Sequence, residues 1–166
     1  MLRCYEEDLK IISMLAVIIS DAHGRIECIR KVYNKHLNAD LYIDAGDSER
    51  AAFELNPFIT VRGNCDLLID ERHRIINFGP HRIYVFHGDN ANLSPLALYQ
   101  RAADCQCNII IHGHTHVPRY IEYKGIYIIC PGSIAFPRNN TKATYALLKG
   151  KKEISVEFIQ VDCEEY

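Results

Sequence analysis

Five short stretches hold most of the side chains in this sequence that could do metal or acid–base chemistry. They are Asp21-Ala22-His23, Gly46-Asp47, Gly63-Asn64-Cys65-Asp66, His87-Gly88-Asp89 and Gly113-His114-Thr115-His116. Each alone has an ordinary explanation: a lone histidine is usually a satisfied core or surface imidazole, and a lone Gly-Asp is a turn. That explanation serves for His36, His73, His81 and His112, but it fails for the five stretches together. Carboxylates, imidazoles and one carboxamide, with no thiolate required, suit Mn, Fe, Zn or Ni better than Ca or a thiolate-seeking metal. Seven such groups exceed the needs of one four-coordinate ion, whereas two ions about 3.5–4 Å apart, bridged by a carboxylate, would use them all. In extended chain, residues two apart point the same way, so Asp21 is expected to face one point with His23, and His114 with His116. Glycines 46, 63, 88 and 113 permit sharp turns and close backbone approach beside these side chains.

The elements that must position these groups follow from hydrophobic pattern. Met14 to Ile19 is a short, continuous apolar run, as expected of a strand buried on both faces. Apolar residues at 26, 29, 33 and 37 then have helical spacing. Asp40 to Ala45 and Phe58 to Arg62 read as further strands, closed by Gly46-Asp47 and Gly63-Asn64. Strand–helix–strand order with turn residues after each strand predicts β-α-β units in a partly parallel sheet. Arg74 to Phe78 and Arg82 to Phe86 flank Gly79-Pro80 and read as a hairpin. Ser94 to Ala103 reads as a helix with Ser94 as cap and Pro95 at its first position. Cys107 to Ile111 is a buried strand, and hairpins are expected at 120–130, around Lys124-Gly125, and at 144–161, around Gly150-Lys151-Lys152. The chemistry-bearing stretches thus follow strands, where an α/β sheet presents its binding crevice.

Composition sets outer bounds. The 166 residues carry 19 Lys and Arg against 21 Asp and Glu, a formal charge of −2. That balance, with no Lys/Arg run, lacks the electrostatic footprint of a dedicated nucleic-acid binder. The longest apolar run is far below the roughly 18 residues of a membrane span, so no membrane association is expected. Glu6, Glu7 and Asp8 near the start do not fit a secretory signal, and cytoplasmic residence is expected. Seven cysteines, an odd number with no C-x-x-C pair, are expected to be reduced thiols. A chain of this length predicts a single domain over 1–166, with 1–13 as an N-terminal extension.

In order and spacing, the motifs resemble those of the calcineurin-like metallophosphoesterases, and more narrowly the small YfcE-type phosphodiesterases. The narrower resemblance rests on Gly63-Asn64-Cys65-Asp66, on Gly113-His114-Thr115-His116-Val117-Pro118, and on Pro131-Gly132-Ser133 followed by Phe136-Pro137-Arg138. It spans about residues 14–161. It implies an α/β fold, a four-layer α/β/β/α sandwich of two mixed sheets with outer helices. It also implies one metal ion held by Asp21, His23 and His116 and a second by Asn64, His87 and His114. Asp47 would bridge them together with a water or hydroxide, the nucleophile for in-line attack on a phosphodiester. The ions would be divalent transition metals, Mn2+ first, with Ni2+, Fe2+, Co2+ or Zn2+ as alternatives. Catalytic roles would fall to Asp47, Asn64, Cys65 and His87, the substrate would be a small phosphoester, and a dimer or tetramer would be the homo-oligomer.

Two rivals stand beside this reading. A phosphomonoesterase or nucleotide pyrophosphohydrolase could use the same site. A protein-binding scaffold resembling the retromer scaffold subunit would have an impaired site, whereas all seven ligand positions here carry competent side chains. Three positions depart from the family pattern: Cys65 where many members have His, Asp89 where His-Gly-His is usual, and Cys130 where Asn usually precedes Pro-Gly-Ser. Among weaker candidates, Asp44 either orients a metal-bound His or closes a turn, Asp66 orders its own loop, and Arg138 meets a second phosphate substituent or is solvated. Tyr120, Tyr123 and Tyr127 are read as hairpin packing.

Overall fold

The computed structural model describes residues 13–163. Its elements are β1 (Met14–Ile19), α1 (Ile26–Lys35), β2 (Leu41–Asp44), β3 (Ile59–Thr60), β4 (His73–Phe78), β5 (His81–Phe86), α2 (Pro95–Asp104), β6 (Ile109–Ile111), β7 (Pro118–Tyr123), β8 (Ile126–Pro131), β9 (Thr144–Gly150) and β10 (Ile154–Gln160). They form two mixed five-stranded sheets, ordered β10-β9-β1-β2-β3 and β4-β5-β6-β8-β7. The parallel ladders are β1–β2–β3 in the first sheet and β5–β6–β8 in the second; the other pairs are antiparallel.

Period-two alternation sorts each central strand between two cores. Ala16 and Ile18 of β1 join Ile43, Val85, Ile109, Ile111, Ile129 and Leu148 in the layer between the sheets. Val17 and Ile19 point the other way, onto Cys28, Ile29 and Val32 of α1. Ile110 and Ile128 of the second sheet meet Leu98 and Ala102 of α2 on its outer face. Burial on both faces explains the unbroken apolar runs, and the layers are the expected α/β/β/α sandwich. Edge strands instead alternate half-buried with exposed positions over most of their length, as in β4 and β10.

Two expectations shift. The helix after β1 ends at Lys35, where the His36 N–H turns back to Tyr33 O, so Leu37 lies beyond it and is 60% exposed. The buried face of α1 is therefore Cys28, Ile29 and Val32. The expectation of reduced cysteines is corrected at one pair: Cys28 and Cys163 are joined by a disulfide across 135 residues. The reason is topological, since the chain leaving β10 returns to the outer face of the first sheet, where α1 buries Cys28. Cys65, Cys105, Cys107 and Cys130 are free. Ser94 caps α2 as expected, its hydroxyl accepting from Ala97 N–H with Pro95 at the first turn. Most of residues 1–13, including Cys4, lie outside the described residues. No helix among those described is long and apolar enough to cross a membrane.

Candidate metal centre

All five chemistry-bearing stretches lie in loops leaving the C-terminal ends of β1, β2, β3, β5 and β6, where the two sheets open side by side. The loops extend the strand pairing: Asp21 N–H donates to Gly46 O, His23 N–H to Asp47 O and Gly113 N–H to His87 O, each at 2.9 Å. The extended-chain reading of Asp21 with His23, and of His114 with His116, is corrected. All four have left-handed φ (55°, 42°, 68° and 59°), as does Asp47 (55°). Asp and His tolerate this region less readily than Gly, and such conformations persist where surrounding bonds over-determine them. The turn aims Asp21, His23 and His116 at one point, while His114 stands apart from that trio.

Three trios have ligand atoms within 4.8 Å of one another: the buried pair Asp21–His23–His116 and Asp21–Asp47–His87, which share Asp21, and the more exposed His23–Glu49–Cys65. His116 Nε2 is 3.1 Å from Asp21 Oδ1, and His87 Nε2 is 3.2 Å from Asp47 Oδ2. His114 is in none of them; its ring centroid is 5.3 Å from that of His87, and its N–H donates to Asp21 Oδ2 at 3.1 Å. Asn64 is exposed on the rim, its amide nitrogen 3.3 Å from Cys65 Sγ.

Each imidazole of the trios has its Nδ1 engaged behind it. His87 Nδ1 donates to Ala45 O at 2.8 Å, His116 Nδ1 to Phe136 O at 2.6 Å, and His23 Nδ1 to Glu49 Oε1 at 2.7 Å. Three Nε2 atoms therefore face inward with their lone pairs available, the arrangement outer partners impose on metal-bound histidines. Asp21 Oδ1 and His87 Nε2 are buried with no hydrogen-bond partner, which is costly unless something cationic satisfies them. The titration behaviour agrees. Burial pulls His87 down, but the adjacent carboxylates of Asp47 and Asp21 outweigh this and push it up to about 9. Burial raises Asp47, but the neighbouring His87 imidazole and the Cys65 N–H bond outweigh this and hold it at about 2. The pocket thus draws a proton where a cation would serve, and its donor set fits divalent transition metals.

Residues that sequence reasoning undervalued hold this geometry. Asp66 does more than order its own loop: Oδ2 accepts from Asp47 N–H and Gly63 N–H, and Oδ1 from Glu49 N–H, all at 2.8 Å. Glu49, not Asp44, orients a histidine. Asp44 is a turn carboxyl, accepting from Thr60 Oγ1 and Gly46 N–H, and burial raises it to about 7. Ser133 donates to Asp21 O at 2.7 Å and accepts from Ala135 and Phe136 N–H, so the Pro-Gly-Ser loop is well held with Cys130 before it. Gly63 is needed for close approach, since a Cβ there would stand 2.6 Å from Asp47 Cγ and Asp47 N. Cys65 N–H donates to Asp47 Oδ1 at 2.8 Å, while burial and the Asp47 charge push its thiol up to about 11. The histidines outside the set have ordinary partners: His36 meets Tyr145 OH, His73 stacks on Tyr84, His81 meets Asn108, and His112 bonds Gly113 O.

The model of the calcineurin-like phosphoesterase superfamily domain matches residues 14–153. The chain belongs to that superfamily. It is 34% identical over 141 residues to a probable metallophosphoesterase, YsnB of Bacillus subtilis, covering 81% of this chain and 83% of that one. It is 26% identical to the phosphodiesterase YfcE of Escherichia coli K12, over 64% of this chain and 60% of that one. Among solved structures, a predicted phosphoesterase from Streptococcus pneumoniae superposes with a TM-score of 0.83 at 25% identity, covering 93% of both chains. A Vps29 variant from Entamoeba histolytica shares the fold, with a TM-score of 0.70 at 21% identity over 90% of this chain and all of that one. Membership makes the chain a metal-dependent phosphoester hydrolase of the metallophosphoesterase type.

Proposed function

We propose that the chain is a binuclear phosphodiesterase acting on a small or exposed phosphoester. Asp21, His23 and His116 would hold one ion, Asn64, His87 and His114 the other, and Asp47 would serve both. The convergence of three Nε2 atoms, each fixed from behind, on two buried carboxylates carries this reading. The overlap of the two buried trios at Asp21 supports a pair of adjacent ions over one. Such ions, Mn2+ first, would supply a nucleophile from water at neutral pH and offset the charge that builds on the phosphoryl oxygens.

The chain's own groups then have defined tasks. Asp47 Oδ1 is held by Cys65 N–H, while Oδ2 lies 3.2 Å from His87 Nε2, where it would be available to a metal. The Cys65 thiol, at about 11, keeps its proton at neutral pH and offers little general-acid help. Two recesses flank the cluster, one beside His87 and one lined by His23, His116, Phe136 and Arg138. A diester has two substituents to place, which favours it over a monoester. The test is elemental analysis with turnover of a diester–monoester panel, wild type against Asp47→Asn. Chelator should abolish activity, Mn2+ should restore it better than Mg2+, and Asp47→Asn should lose metal and turnover together. Normal metal content with full activity in Asp47→Asn would refute the binuclear assignment.

A further inference from the structure

The recess beside His87 has properties the metal cluster does not explain. It is a cleft of about 210 Å³ between the start of β4, the end of β5 and α2, and His87 forms its inner wall. Arg62, Arg72 and Arg101 line it from three separate segments, against a single acidic group, Asp89. Arg25, Arg50 and Arg74 are paired with Glu27, Glu54 and Glu71, whereas Arg30, Arg82, Arg119 and Arg138, like the cleft arginines, make no ion pair among the described residues. Among the described residues no carboxylate lies within salt-bridge distance of the three cleft arginines. Three guanidiniums converging unneutralised on one concavity is unexpected in a chain of net charge −2.

The cleft is also built rather than incidental. The Arg101 guanidinium lies over the Phe86 ring, 4.9 Å from its centroid, and its Nη1 reaches Tyr84 OH at 3.5 Å. His73 stacks on Tyr84 at 5.3 Å with an interplanar angle of 14°. Tyr84 and Phe86 are themselves buried. The Phe86 ring and Tyr84 OH position the Arg101 guanidinium, whose remaining N–H groups suit phosphate oxygens. The volume admits a phosphoryl group and a few further atoms but falls short of the roughly 300 Å³ at which pockets for larger ligands begin.

We propose that this cleft binds a second, non-reacting phosphate of the substrate, so that the substrate is a phosphoester carrying another phosphoryl group a few atoms from the ester that is cleaved. The inference rests on the phosphodiesterase reading of the adjacent centre and names the substrate class for it. Asp89, in place of the usual histidine, removes a potential cation at the cleft mouth and leaves anion recognition to the arginines. Binding energy gained at the remote phosphate would position the reacting ester against the metal centre.

The test pairs binding with turnover in the metal-loaded protein. Calorimetry compares thymidine 3′,5′-bisphosphate with thymidine 5′-monophosphate, and kinetics compares thymidine 5′-(p-nitrophenyl phosphate) with and without a 3′-phosphate. The bisphosphate should bind at least about tenfold tighter, within reach of one or two charged hydrogen bonds, and the 3′-phosphate should lower KM similarly. Arg101→Gln should cut that preference to about threefold or less. So should Arg72→Gln, whose side chain is exposed. Equal binding of the two nucleotides by the wild type, or a preference that survives both substitutions, would overturn the inference. If the wild type cleaves neither ester, the phosphodiesterase reading falls, while the calorimetric ratio still decides the cleft.

Discussion

Gly63→Ala perturbs the geometry around Asp47 without substituting any proposed ligand. An alanine Cβ would stand 2.6 Å from both Asp47 Cγ and Asp47 N, with the carboxylate oxygens in its path. Ordinary carbon contacts begin near 3.5 Å and Asp47 Oδ1 lies nearer still, so Asp47 or its loop must retreat by more than about 0.9 Å. Retreat is resisted, because Asp66 holds Asp47 N–H and Gly63 N–H on one oxygen. Overpacking costs about 1–3 kcal/mol, and loss of the Cys65 N–H bond to Asp47 about 1.5–3 more. A total of about 2.5–6 kcal/mol corresponds to a melting shift on the order of 10 °C for a chain this size. Gly125→Ala is the control: its site is open, with nothing within 4 Å of the new Cβ, and only its φ of +77° is penalised, by about 1 kcal/mol. Thermal melts in chelator separate folding from metal binding, and equilibrium uptake of Mn2+ then reports the site. Gly63→Ala should melt well below Gly125→Ala and take up metal at least about tenfold more weakly, since a shift near 1 Å is enough to lose a ligand bond. Equal melting temperatures and wild-type Mn2+ uptake in the two variants would refute the close-approach argument.

Asp66→Ala strands three backbone N–H groups, on Asp47, Glu49 and Gly63, and should cost about 3–5 kcal/mol in urea unfolding even in chelator. Asp66→Asn, which keeps one acceptor oxygen, should recover part of that loss. His112 makes stability pH-dependent: burial, against the opposing bond to Gly113 O, lowers it from 6.5 to about 4. Its contribution is complete above pH 6.5 and is lost as pH falls toward 4, because the unfolded chain binds the proton first. Between pH 7 and pH 5 the wild type should therefore lose about 2 kcal/mol more than His112→Phe, measured by urea titration in chelator. With its thiol at about 11, Cys65 in chelated protein should react with iodoacetamide at neutral pH about 100-fold more slowly than a free cysteine. Cys65→His should speed alkyl esters proportionately more than aryl esters, flattening the plot of log rate against leaving-group pKa; parallel plots would exclude Cys65 from that role.

Local pattern was enough for the elements and for the order of the motifs along them. Met14–Ile19 and Ile109–Ile111 are unbroken apolar runs because each is covered on both faces, and Ser94-Pro95 starts α2 through bonds confined to one turn. The five motifs were readable because ligand atoms must sit on side chains, and side chains are what a sequence states. Tertiary structure alone decided what lies behind them. The carbonyls of Ala45 and Phe136 that set two histidine tautomers are backbone groups carrying no sequence signature. Asp66 reaches Asp47 and Glu49 across two loops, and Cys28 meets Cys163 across the fold, so both contacts depend on strand order. The left-handed turns at Asp21, His23, His114 and His116 follow from pairing between neighbouring loops, against the preference of each residue taken alone. Arg62, Arg72 and Arg101 are ordinary surface residues in the linear chain. Only the packing of β5 against β6 and α2, beside the loop after β3, draws them around one cleft.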